Sequence, residues 1–76
     1  MISLIMAPKD VDLKVAMIKD KKTKDEILAH IANLGFVKGA KVRVVFENDG
    51  NLIVKIKDSR LALGKDIAKK IIVEEL

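Results

Sequence analysis

The sequence predicts a mainly β domain: a small barrel of about five short strands, with one helix between strands 1 and 2 and a short helical turn before the last strand. Three observations carry that prediction. Apolar and polar residues alternate in two separate regions, 11–17 and 41–57, which is the period of a half-buried strand. Between them lies one stretch, 23–34, in which apolar residues recur at helical spacing. The interior must also be aliphatic, because 50% of the residues are hydrophobic and only 3% aromatic, Phe36 and Phe46 being the whole aromatic content.

The first strand places Val11, Leu13, Val15 and Met17 on one side. The polar run KDKKTK (19–24) then makes an exposed connection. Thr23 opens the helix, and Glu26 three residues later completes a capping box. Ile27, Leu28, Ile31 and Leu34 form its apolar stripe, and Gly35 follows where a helix C-terminus calls for positive φ. Gly39 is expected in a turn before the next strand.

Val42, Val44 and Phe46 alternate with Lys41, Arg43, Val45 and Glu47. After NDGN (48–51), Leu52, Val54 and Ile56 alternate with Ile53, Lys55 and Lys57. The Asp-Gly pair marks a β-hairpin with Gly50 at its tip. Asp58 and Ser59 turn the chain into a short strand, RLAL (60–63). Gly64 starts a single helical turn, and IIVEE (71–75) is the last strand. Closing these strands into a barrel would protect edges that an open sheet of this size exposes.

A chain of 76 residues makes one domain, 1–76, that buries only about 60% of its unfolded surface. With no cysteine, neither a disulfide framework nor a thiolate metal site is available. The opening MISLIMAP lacks the basic start and length of a signal peptide, and no stretch approaches the roughly 20 apolar residues of a membrane helix. A soluble, cytoplasmic chain is expected. The net charge of +4 comes almost wholly from Lys, with Arg43 and Arg60 the two arginines, and is interleaved with 11 acids. That pattern fits a solvated surface better than a nucleic-acid footprint, since no aromatics are spaced along a strand for base stacking.

The residues that carry chemistry are sparse. His30, the single histidine, sits at the margin of the helical stripe, and Asp25 and Glu26 point to other parts of the helix, so no metal site is expected. Ser3 and Ser59 lie outside any nucleophile-elbow context. Gly35-x-x-x-Gly39 lacks the Gly-Lys-Ser/Thr ending of a phosphate loop. Asp49 and Asp58 fall in turns, where carboxylates commonly satisfy local backbone groups. No acid, base and nucleophile converge, and neither catalysis nor a cofactor is expected.

The order of these elements resembles SH3-like barrels. Residue by residue, Ile31-Ala32-Asn33-Leu34-Gly35-Phe36-Val37-Lys38-Gly39, the hairpin 41–57, Leu61-Ala62-Leu63-Gly64 and Ala68-Lys69-Lys70-Ile71-Ile72-Val73-Glu74 resemble the family of ferrous iron transport protein A (FeoA). The likeness runs from about Leu4 to Glu74. The sequence departs from the family in the first turn, where the run Ala7-Pro8-Lys9-Asp10 has no glycine and Asp10 must serve.

The resemblance implies a non-enzymatic cytosolic accessory protein of ferrous iron uptake. Its partner would be an iron transporter with a cytoplasmic GTPase domain (FeoB-like), and it would act on that transporter without itself carrying iron. Leu34, Phe36, Val37 and Lys38, at the junction of helix and barrel, are the expected partner-binding residues. Two alternatives share the fold: a relative of the SH3-like domain of iron-dependent repressors, and a small RNA- or ribosome-binding barrel. The apolar ISLIM segment (2–6) leaves weak self-association open.

Overall fold

The computed structural model describes residues 1–19 and 21–76. Asp20, inside the connection expected over 19–24, lies outside them. Six strands form one antiparallel sheet: β1 (Ile2–Ser3), β2 (Leu13–Ile18), β3 (Lys41–Asn48), β4 (Asn51–Ile56), β5 (Ser59–Gly64) and β6 (Ile71–Glu75), in the spatial order β1-β6-β2-β3-β4-β5. Helix α1 spans Asp25–Asn33, the short α2 spans Lys65–Ala68, and a 3₁₀ turn covers Leu4–Met6.

Two features of the expected barrel are corrected. There are six strands, because Ile2 and Ser3 pair with Val73 and Ile72. The sheet also does not close, since β1 and β5 stand at opposite ends of it. Strand β1 is only two residues long, because the 3₁₀ turn begins at Leu4. Leu4 is fully buried, while Ile2 and Met6 of the ISLIM segment stay 41% and 74% exposed.

The sheet wraps a core of Leu4, Leu13, Val15, Ile31, Phe36, Val42, Val44, Leu52, Val54, Ile56, Leu63, Ala68, Ile71 and Val73. Strand β6 lies between β1 and β2, and its Ile71, Ile72 and Val73 are all buried. Successive side chains of a strand point to opposite faces, so burial of all three means that both faces of β6 are covered there. Asp10 takes φ +61°, the left-handed conformation its short polar side chain tolerates, and its N–H donates to Val44 O at 2.8 Å.

Several local expectations shift. Residue Lys24 occupies the N-cap of α1 and makes no side-chain cap; Thr23 Oγ1 instead donates to Lys19 O at 3.1 Å, so the capping box does not form. The acids Asp25 and Glu26 still lie in the first turn, where the helix dipole favours them. The β4–β5 turn falls on Lys57 and Asp58, one residue earlier than expected. Gly64 has φ −68° and ψ 157°, an extended residue that ends β5 and precedes α2, with no need of glycine's freedom.

The larger corrections come from two bulges. Between Val15 and Met17 the β2–β6 register shifts, leaving Ala16 without a partner, and Met17 turns outward to 49% exposure. Between Val44 and Phe46 the β3–β4 register shifts at Val45, and Phe46 stands 53% exposed instead of joining Val42 and Val44. An extra residue on one strand reverses the facing of everything beyond it.

The two phenylalanines therefore make opposite predictions. Phe36→Ala should lower unfolding stability by about 3–5 kcal/mol, whereas Phe46→Ala should change it by about 0.5 kcal/mol or less. Paired urea denaturation curves would check both.

Candidate functional site

The expected partner-binding residues occupy the link from α1 to β3. Gly35 takes φ +103° just after the helix, and a Cβ there would also meet Ile56 Cδ1 at 3.4 Å. Its N–H bonds Ala32 O at 3.0 Å, closing the helix end. Gly39 takes φ +89° and donates to Val15 O at 2.7 Å, while Val15 N–H returns a bond to Ala40 O at 2.8 Å. The link is thus fastened to the helix at one end and to β2 at the other.

Between those anchors Phe36 is 1% exposed, the largest fully buried side chain. That corrects its expected place on a partner surface: the ring plugs the core and is unavailable to a partner. Leu34 is half-buried as the C-cap residue of α1. Val37, at 51% exposure, and Lys38 do reach solvent. Lys38 and Gly39 border a shallow hollow of about 420 Å³ whose other wall includes Met17. Val37 and Lys38 are thus the members of the expected patch that are exposed, and Met17 is exposed as well. Sequence reasoning missed Met17, although the unbroken apolar run Val15-Ala16-Met17-Ile18 signals a break in alternation.

A second hollow, of about 430 Å³, lies at the far side of β3 and is lined by Asp12, Lys41, Arg43, Lys55 and Lys57 among others. Here Arg43 Nε and Nη2 donate to Asp12 Oδ1 at 3.0 and 2.7 Å. Those hydrogen bonds hold the Asp12 carboxyl below its ordinary pKa of 3.8; partial desolvation opposes them, and the positive charges of Arg43, Lys41 and Lys55 add to them. His30 is exposed on α1, and among the described residues no group of three or more His, Cys, Asp or Glu side chains could hold a metal ion. No helix among them is long and apolar enough to cross a membrane.

One antiparallel sheet with two helices, packed around a single, mostly aliphatic core, is the architecture of an SH3-like domain. The likeness to solved structures agrees: Stenotrophomonas maltophilia FeoA complexed with zinc, an SH3 domain protein, superposes with a TM-score of 0.85 at 30% identity, over 97% of this chain and 91% of that one. The chain belongs to the FeoA family, whose FeoA domain model matches residues 2–75. A Methanocaldococcus jannaschii protein bearing the name Fe(2+) transport protein A is 31% identical over 48 residues, 63% of this chain and 58% of that protein's length. A manganese-dependent transcriptional repressor contains the same fold at a TM-score of 0.85 and 25% identity, over 97% of this chain and 41% of the repressor.

The Asp12–Arg43 pair has a pH signature. Because the folded pKa lies below the unfolded one, the pair contributes stability above about pH 4, and that contribution is lost as the pH falls through the folded value. An NMR titration of the Asp12 carboxyl should show a midpoint below 3.8, and Arg43→Gln should raise it. A midpoint unmoved by Arg43→Gln would assign the shift to other groups.

Proposed function

We propose that this chain is a non-enzymatic, cytoplasmic accessory protein of ferrous iron uptake that docks on the GTPase-bearing part of a ferrous iron transporter and modulates it. The observation that carries the reading is the FeoA match over residues 2–75. A relative named for Fe(2+) transport and a closely superposing FeoA structure support it. The chemistry of the surface supports it too. Val37 and Lys38 in the α1–β3 link are exposed, and Lys38 shares a hollow with Lys14, Glu74 and the exposed Met17. Exposed apolar side chains edged by charge suit docking more than turnover.

On this reading the docking residues are Met17, Val37 and Lys38, with Leu34 behind them and Phe36 supporting from the core. The likeness to part of a manganese-dependent repressor favours a second reading, a binding domain of metal-responsive regulation. A pull-down separates the two.

The cytoplasmic domain of the same organism's ferrous transporter should retain this protein, with retention changing between guanine nucleotide states. Val37→Asp should weaken it by about tenfold, or 1.4 kcal/mol. Val37 is exposed, so the variant keeps its fold, which Phe36→Asp would not. Failure to bind in any nucleotide state removes the transporter from the reading.

A further inference from the structure

The bulge in β3 builds a surface away from the α1–β3 link. Along β3–β5 the outward side chains fall into register rows. Arg43 pairs with Lys55, and Lys55 with Arg60, giving a cationic row across three strands. The next row is Phe46, Ile53 and Ala62, likewise paired strand to strand. Lys41 and Lys57 extend the cationic end around the hollow that also holds Asp12. Rows two residues apart along a strand are separated by about 7 Å, and neighbouring strands by about 5 Å. The whole face therefore matches a short extended or helical segment in size.

The facing of Phe46 follows from the register shift at Val45 alone. Continued pairing from Val44 and Val54 would have set Phe46 opposite Leu52, toward the core; the shift sets it opposite Ile53, in solvent. An exposed aromatic held this way is a natural anchor for an apolar side chain. The charge on this part of the sheet is mostly positive. Lys41, Arg43, Lys55, Lys57 and Arg60 outnumber Asp12, which Arg43 already holds, Asp58 in the adjoining turn, and Glu47, which follows Phe46 and pairs with Lys65 at 3.8 Å. The Asp12 carboxyl is held down chiefly by its hydrogen bonds from Arg43, with the charges of Arg43, Lys41 and Lys55 adding to them.

The geometry points to the outer face of β3–β5 as a docking surface for an acidic protein segment that carries at least one large apolar side chain. Carboxylates lie over the Arg43–Lys55–Arg60 row, and the apolar side chain packs on Phe46 and Ile53. Charge complementarity selects this occupant. A second copy would bring a like-charged face against it, at a net charge of +4 per chain. RNA would leave Phe46 as a solitary stacking platform, and a flat bilayer would leave the hollow beside Lys55 unfilled. This inference rests on the chain being a binding module, but not on which transporter or regulator it serves. It can therefore fail or hold independently of the pull-down.

The test is an amide NMR titration of the full chain with a twelve-residue acetylated peptide of glutamates interrupted by two leucines. Saturable shifts should be confined to β3–β5 and weaken several-fold toward about 0.2 M salt. Phe46→Ser and Lys55→Glu should each reduce affinity by about tenfold, and a peptide lacking the leucines should bind more weakly. Both substitutions lie on the surface, and an unchanged amide spectrum elsewhere verifies folding. Lys21→Glu, in the separate cluster of Lys19, Lys21, Lys69 and Lys70, should leave binding unaltered. Shifts centred on that cluster, indifference to Phe46→Ser, or no saturable binding would overturn the proposal. So would tighter binding of oligouridylate or of anionic phosphatidylserine vesicles to the same face.

Discussion

Burial of the Phe36 ring is the constraint on which the rest of the domain depends. In an interior otherwise made of aliphatic side chains, it supplies the single largest volume. It also enters at the point where α1 hands the chain to β3. To bring the ring inward directly after a helix, the backbone must reverse at Gly35. To re-enter the sheet, it must turn again at Gly39, whose N–H is spent on Val15 O. The two glycines thus follow from where the aromatic has to go, and an L-residue carrying a Cβ would be strained at both.

With that plug in place, the inside of the sheet is fixed, and function is left to what the backbone turns outward. Two bulges decide this. One exposes Met17 beside Lys38 and Gly39; the other exposes Phe46 beside a cationic row. Each forgoes the burial of a large apolar side chain, on the order of 1.5–3 kcal/mol. A domain this small has little stability to forgo. Met17 borders an open hollow, and Phe46 lies one row along the sheet from the Arg43–Lys55–Arg60 row. The molecule thus turns a methionine outward at one bulge and a phenylalanine beside a cationic row at the other.

Much of the fold was legible in the sequence. The helix stripe ending at Gly35, the Asp49–Gly50 hairpin with φ +47° and +85°, and the last strand all stand close to where periodicity placed them. The family was legible as well, from the Leu34-Gly35 to Gly39 segment and the ending Ala68 to Glu74. The capping box was not, because Thr23 found a carbonyl four residues upstream and left the helix to begin after Lys24. The site was legible only in part. Val37 and Lys38 emerge at the surface as expected, while Phe36 goes inside and Phe46 comes out.

By itself, the sequence determined the elements and the aliphatic character of the core, because alternation, helical spacing and turn residues are local and each is read within a few positions. It also determined the family, through residues that set those same turns. The tertiary structure alone decided which aromatic is buried, that the sheet of the described residues has six strands and stays open, and which apolar residues face solvent. Those outcomes depend on register, and register is a long-range property. A single unpaired residue, Ala16 or Val45, reverses every side chain beyond it, and nothing in the local pattern states on which side of the sheet the neighbouring strand will count that residue.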